Sequence, residues 1–138
     1  MTYNFTLKYG LSKAKFPLIP IAVQDKHLCL LLDTGSNINI LDTKVYEYFK
    51  DIIEHIGELH HFGIEGNTEQ NNTVKMPFSF EGCSFNPIFS VVNLDKAFSK
   101  IHEESGIPIH GLLGNQFFIQ HGWVIDFDKL ELSWQPNE

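Results

Sequence analysis

The chain has 138 residues, enough for one domain with an adequate core. Hydrophobic residues make up 43% and charged residues 20%, a globular balance that excludes a disordered or fibrous chain. Lys and Arg total 10 against 17 Asp and Glu, a formal net charge of −7, and with no basic patch in view nucleic acid is not an expected partner.

The chain opens with "MTYNFTLKYG", polar and alternating, which suits neither a signal peptide nor a membrane anchor. Tyr3, Phe5, Leu7 and Tyr9 fall on one face, so the segment predicts a strand from Tyr3 to Tyr9. In "FPLIPIAVQDKHLCLLLD" two apolar runs flank Gln24, Asp25 and Lys26, a hairpin pattern. Pro17 and Pro20 place the first run at a sheet edge or near its start. "NINIL" predicts a short strand. Asp42 is a good helix N-cap, and Val45, Tyr46, Phe49, Ile52, Ile53 and Ile56 have helical spacing, so a helix is expected to run until Gly57.

"ELHHFGIEGNTEQNNTVKMPFSF" predicts a long hairpin with a polar tip, and "GCSFNPIFSVVNL" a further strand region. "DKAFSKIHEES" predicts a helix capped by Asn93 or Asp95 and closed by Gly106. A strand into Leu112, Leu113 and Gly114 follows, then a short helix from Asn115 to His121 stopped by Gly122. A hairpin turning at Asp128-Lys129 ends the chain. The fold class expected is all-β, a closed, barrel-like lobe with a few short helices, in a single domain over residues 1–138. No apolar run approaches a membrane span, and two cysteines read as thiols of a reducing compartment make the expected location cytoplasmic. Cys29 and Cys83 lack metal-ligand spacing and read as two thiols, with a single disulfide left open. The histidines, among them His55, His60, His61, His102, His110 and His121, form no recognised metal spacing, so no metal and no cofactor are expected.

One stretch carries chemistry. In "CLLLDTGSNINIL" an apolar strand runs straight into Asp33, and a carboxylate there is costly to bury unless paired or used. Gly35 permits a tight turn. Thr34 can tie the loop by hydrogen bonds, and Ser36 can hydrogen-bond the carboxylate. Asp-Thr-Gly-Ser alone is weak, since chance would place it in roughly one chain in several hundred of this length.

With its flanks, the chain resembles the retropepsin-like aspartic proteases, the single-lobe relatives of pepsin. Three spaced elements carry the resemblance, in order: "LLLDTGSNINIL", "FGIEGN" at 62–67 and "IHGLLGNQFF" at 109–118. It implies a peptide or protein substrate and a catalytic motif at Asp33, Thr34, Gly35 and Ser36. It implies a substrate-binding flap at Phe62, Gly63, Ile64, Glu65 and Gly66. It also implies support beneath the Asp33 loop from Leu112, Leu113 and Gly114. The chemistry needs two carboxylates that share a proton, because like charges at close range cannot both ionise easily. Only one Asp-Thr-Gly is present. Asp42 is better suited to capping a helix, and Asp126 lacks the Thr-Gly turn, so the second carboxylate is expected from a second Asp33 in a homodimer with its site on the two-fold axis.

The chain departs from viral retropepsins at one position. These usually place an Arg after the glycine of the third element, where Asn115 stands here and reads as a helix cap. Terminal strands that interleave across the dimer, as in the viral relatives, would suit the alternation of Phe5, Leu7 and Tyr9 and of Leu130, Leu132 and Trp134. The alternatives are a structural turn role for Asp33, a non-proteolytic dimerisation or peptide-binding module on the same fold, and a monomeric β-rich ligand carrier.

Overall fold

The structure is a computed structural model that describes residues 1–62 and 68–136, with backbone alone for 58–62 and 68–71. Strand β1 (Tyr3–Thr6) is shorter than its alternation suggests, and a helix not foreseen, α1 (Lys8–Lys13), follows it. The Thr6 hydroxyl accepts from the Lys8 N–H, Leu7 is fully buried, and Tyr9 swings out to solvent. Gly10 lets this helix sit on the chain: a Cβ there would meet the Phe16 carbonyl oxygen at 2.7 Å.

Strands β2 (Leu18–Val23) and β3 (Lys26–Leu32) form the expected hairpin, paired from Leu18↔Leu31 to Val23↔Lys26. Next come β4 (Asn39–Asp42) and α2 (Thr43–Tyr48). Asp42 caps α2 as expected, but the helix ends near Phe49 instead of running to Gly57. Residues Glu54–Phe62 form β5, antiparallel to β6 (Thr68–Lys75). Cross-strand pairing overrides the helical spacing. Gly57, at φ 145°, sits at the irregularity in that ladder, a conformation that favours glycine. Of the apolar residues behind the spacing, Phe49 is buried and Ile52 and Ile53 pack against the core, while Ile56 is exposed.

The predicted strand region at 82–94 resolves into β8 (Cys83–Phe85) and β9 (Ile88–Val92), after β7 (Phe78–Phe80). Helix α3 (Asp95–Ser105) closes at Gly106, left-handed at φ 76°. Leu94 holds its cap position, while the Asn93 side chain accepts the Asp95 N–H at 2.9 Å. Then β10 (Gly111–Leu113), α4 (Asn115–His121), β11 (Val124–Asp126) and β12 (Glu131–Trp134) complete the chain, α4 with the bounds predicted.

Nine strands form one curled half-barrel sheet in the order β5-β6-β9-β4-β10-β3-β2-β7-β8, the β-rich lobe expected. A second sheet, β1-β12-β11, is antiparallel. In it β12 has its own chain on both sides, so the interleaved arrangement of viral termini finds no open edge on this strand. The main core collects Leu28, Leu30 and Leu32 from β3 with Leu41 and Leu113. The Phe-rich stretch joins it: Phe78, Phe80 and Phe85 stack among Phe117, Trp123 and Trp134. The alternate residues of β3 face the other way. Leu31 forms a second cluster with Ala14, Leu18, Ile109 and Leu112, against which Cys29, Ile40, Phe98, Ile101 and Ile107 pack. No helix among the described residues is long and apolar enough to cross a membrane.

Candidate active site

The Asp33 loop is held from beneath by β10. The parallel ladder pairs Leu30, Leu31 and Leu32 with Gly111, Leu112 and Leu113, and the Asp33 N–H extends it by donating to the Leu113 carbonyl at 2.9 Å. Strand geometry thus reaches Asp33, and alternation puts its carboxylate on the side of Leu31. The turn closes on itself: the Gly35 N–H donates to Asp33 Oδ1 at 2.9 Å and the Ser36 N–H to the Asp33 carbonyl at 3.1 Å. A Cβ at Gly35 would stand 3.1 Å from that carboxylate oxygen, tight enough to disturb it.

Ser36 behaves differently from expectation. Its hydroxyl donates to the Ile38 carbonyl at 2.7 Å and accepts from the Ile38 N–H at 3.3 Å, so it braces the loop and leaves the carboxylate to a backbone donor. Among the described residues the Thr34 side chain makes no hydrogen bond; its carbonyl is the anchored group, accepting from the Asn115 side-chain amide at 2.8 Å. Asn115 is therefore the first residue of α4 and a tie to the loop, while Gly114 holds the cap position.

Gly114 performs the close crossing expected of it. A Cβ there would lie 2.5 Å from the Ile38 carbonyl oxygen and 2.7 Å from that of Ser36. The backbone N–H groups of Asn115 and Gln116 donate to Ser36 and Asn37 carbonyls at 2.8 and 3.3 Å. Two residues of this support were not singled out from the sequence. Gly111 has the same crowding, with the Ile40 carbonyl oxygen 2.5 Å from a would-be Cβ. Asn39 is buried; its side chain accepts the Gly114 N–H at 2.9 Å and donates to the Ile88 carbonyl at 3.0 Å. An amide at a core-facing position of "NINIL" was the available signal.

The remaining candidates divide. Asp42 is buried, with Oδ2 accepting the Lys44 N–H and Oδ1 the Leu94 N–H, so one carboxylate serves both α2 and the entry to α3. Asp126 accepts from the Asp128 and Lys129 N–H groups, the chief influence holding its carboxyl below the usual range. His110 uses Nδ1 to accept the Cys29 N–H at 2.9 Å, a structural role. Cys29 and Cys83 are both free thiols, and burial pushes Cys29 up to about 11. Of the flap candidates, Gly63, Ile64, Glu65 and Gly66 lie outside the described residues, and Phe62 is described only as the last backbone position of β5.

Solved structures with the same architecture exist. A retropepsin-like aspartic protease from Rickettsia conorii matches at a TM-score of 0.55 and 15% identity, covering 97% of this chain and 92% of that one. The EIAV protease complexed with the inhibitor HBY-793 matches at 0.53 and 19%, covering 76% and 86%. The retroviral protease-like domain of Ddi1 from Leishmania major matches at 0.51 and 13%, covering 86% and 91%. No protein-family model matches the chain, and no curated protein matches its sequence. At such identities what these proteins share with the chain is the architecture, and that architecture is the retropepsin fold.

Proposed function

We propose that the chain is an aspartic endopeptidase that cleaves peptide or protein substrates as a homodimer, with Asp33 of each chain meeting across a two-fold axis. One observation carries the reading. Asp33 stands on a turn braced on every side, its tip at Thr34 and Gly35 exposed, while Asp42 and Asp126 are committed to backbone N–H groups elsewhere. A single such carboxylate is half of an acid–base pair. The outer edge of β11 is unpaired among the described strands, and Ile119, Val124 and Phe127 are 80%, 56% and 60% exposed, which supports an interface there.

In the dimer one Asp33 is ionised and its partner protonated, since the pair resists a double charge. The ionised carboxylate takes a proton from a water held between them, and the water oxygen attacks the peptide carbonyl. The protonated carboxyl donates to the carbonyl oxygen, giving a tetrahedral gem-diol. Collapse breaks the C–N bond as the carboxyl that took the water's proton gives it to the leaving nitrogen, while the other, now ionised, carboxylate takes a proton from a gem-diol hydroxyl, which restores the pair. Thr34, Gly35 and Ser36 set the geometry, and Leu112, Leu113 and Gly114 support it. The backbone of Phe62, Gly63, Ile64, Glu65 and Gly66 is assigned to binding an extended peptide by strand addition.

Mixing tests this reading. Adding excess Asp33→Asn chain to the wild type forms mixed pairs with one carboxylate, so cleavage of a peptide library falls as the wild-type homodimer is depleted. Cleavage that stays proportional to wild-type chain would mean each subunit works alone.

A further inference from the structure

The second apolar cluster lies on the same side of the sheet as the candidate catalytic carboxylate. Cys29, Leu31 and Asp33 are spaced two apart along one extended segment, so they share a face, with Leu31 about 7 Å along the chain from Asp33. Leu112 stands beside Leu31 in register, and Ile40 joins them. Leu31 and Leu112 are buried in this cluster with Ala14, Leu18 and Ile109, and Phe98, Ile101 and Ile107 pack against it.

Helix α3 and the turn after it supply that cover, and the cover is lightly held. None of the residues of α3 is buried. A cavity of about 720 Å³ opens beside it, lined by Leu28, Val45, Phe49, Phe98, His102 and Ile109. Its Lys44–Asp95 ion pair is exposed on both sides and adds little. Eleven residues make a helix that is marginal in water without packing. Its ends are fixed: Leu94 is tied to buried Asp42 at one, and left-handed Gly106 turns the chain at the other. An element with firm ends and a weakly packed middle belongs to the low-stability part of a fold.

We propose that α3 is a hinged cover whose Phe98 and Ile101 occupy, in the free chain, the apolar seat of Leu31, Ile40 and Leu112 beside Asp33, and that they set specificity by competing with the apolar side chain of a bound peptide for that seat. The inference rests on the aspartic endopeptidase reading for its substrate, and on the fold alone for the cover.

Cys29 reports the cover directly, because it packs on the same cluster. In a Cys83→Ser background it is the sole thiol, and iodoacetamide alkylation measures its access. Lys100→Gly weakens α3 from its exposed side and touches no cluster residue, so alkylation should rise about fivefold. Phe98→Ala with Ile101→Ala should raise it about tenfold or more. An unchanged rate in Lys100→Gly, with circular dichroism and urea midpoint showing a folded chain, overturns the cover. The competition is read separately: the double alanine variant should lower KM about fivefold for peptides with a bulky apolar residue beside the cleaved bond. An unchanged KM overturns the role in specificity. If the wild type cleaves no peptide, the endopeptidase reading and the competition with it fail, while the alkylation rates still decide the cover.

Discussion

The side-chain amide of Asn115 donates to the carbonyl oxygen of Thr34 at 2.8 Å, joining the start of α4 to the exposed tip of the Asp33 turn. An Arg stands at this position in the viral enzymes that the sequence resembles. Here a neutral amide works within the chain. Asn115→Ala removes the tie but leaves a carbonyl that water can reach, so stability should fall by only about 0.5–1.5 kcal/mol. Loop geometry should suffer more, with kcat/KM down roughly tenfold or more. Urea unfolding and peptide cleavage on the same preparation check both.

Asp33→Asn keeps an oxygen that can accept the Gly35 N–H, so the turn should survive with a stability change under about 1 kcal/mol. Cleavage should drop by about a thousandfold or more, because an amide can neither accept the water's proton nor share one. A variant that cleaves like wild type would remove Asp33 from the mechanism.

Gly114 and Gly122 separate two reasons for glycine. Gly122 closes α4 at φ 63° with open space around it, so Gly122→Ala meets only the left-handed backbone penalty, about 1–2 kcal/mol. Gly114→Ala would drive a methyl into two carbonyl oxygens and should cost about 3 kcal/mol or more, and activity with it. Denaturant midpoints of the pair give the comparison directly.

Acid should weaken the fold through histidine. Burial lowers the His110 pKa, outweighing the negative charge of Asp42, which raises it; burial lowers His121 too. The unfolded chain therefore takes up these protons at higher pH than the folded one. Stability is complete above the ordinary histidine value of 6.5 and declines as pH falls through it toward the folded values. His110→Asn, whose Oδ1 can take the place of Nδ1 as acceptor for the Cys29 N–H, should shrink the loss of urea midpoint between about pH 7.5 and 5.5. An unaltered pH profile in the variant would deny His110 that role.

The parts of the fold that were legible in the sequence are those where local pattern and tertiary demand agree. "LLLDTGS" could be read because strand alternation, a turn glycine and a carboxylate coincide, and α4 because Gly114 and Gly122 bracket a short apolar stretch. The helix expected through Ile56 failed where they conflict: β6 offers Glu54–Phe62 a long partner, and pairing outweighs the spacing of three isoleucines. Helix α1 was hidden because Leu7 satisfies a strand pattern while serving as the helix cap position. Asn39 and Asn115 were missed as supports because their partners lie 75 and 81 residues away, a distance no local pattern encodes.

In the proposed dimer, a last strand flanked on both sides by its own chain changes what separation of the subunits would mean. With β12 flanked by β1 and β11 of one chain, nothing need be unthreaded when a pair comes apart. Each half of the proposed pair would leave folded and, with one Asp33, silent. For such a pair dilution would act as a reversible off switch, the rate in dilute solution would climb with the square of chain concentration, and whatever gathers the chains into one place would also turn them on.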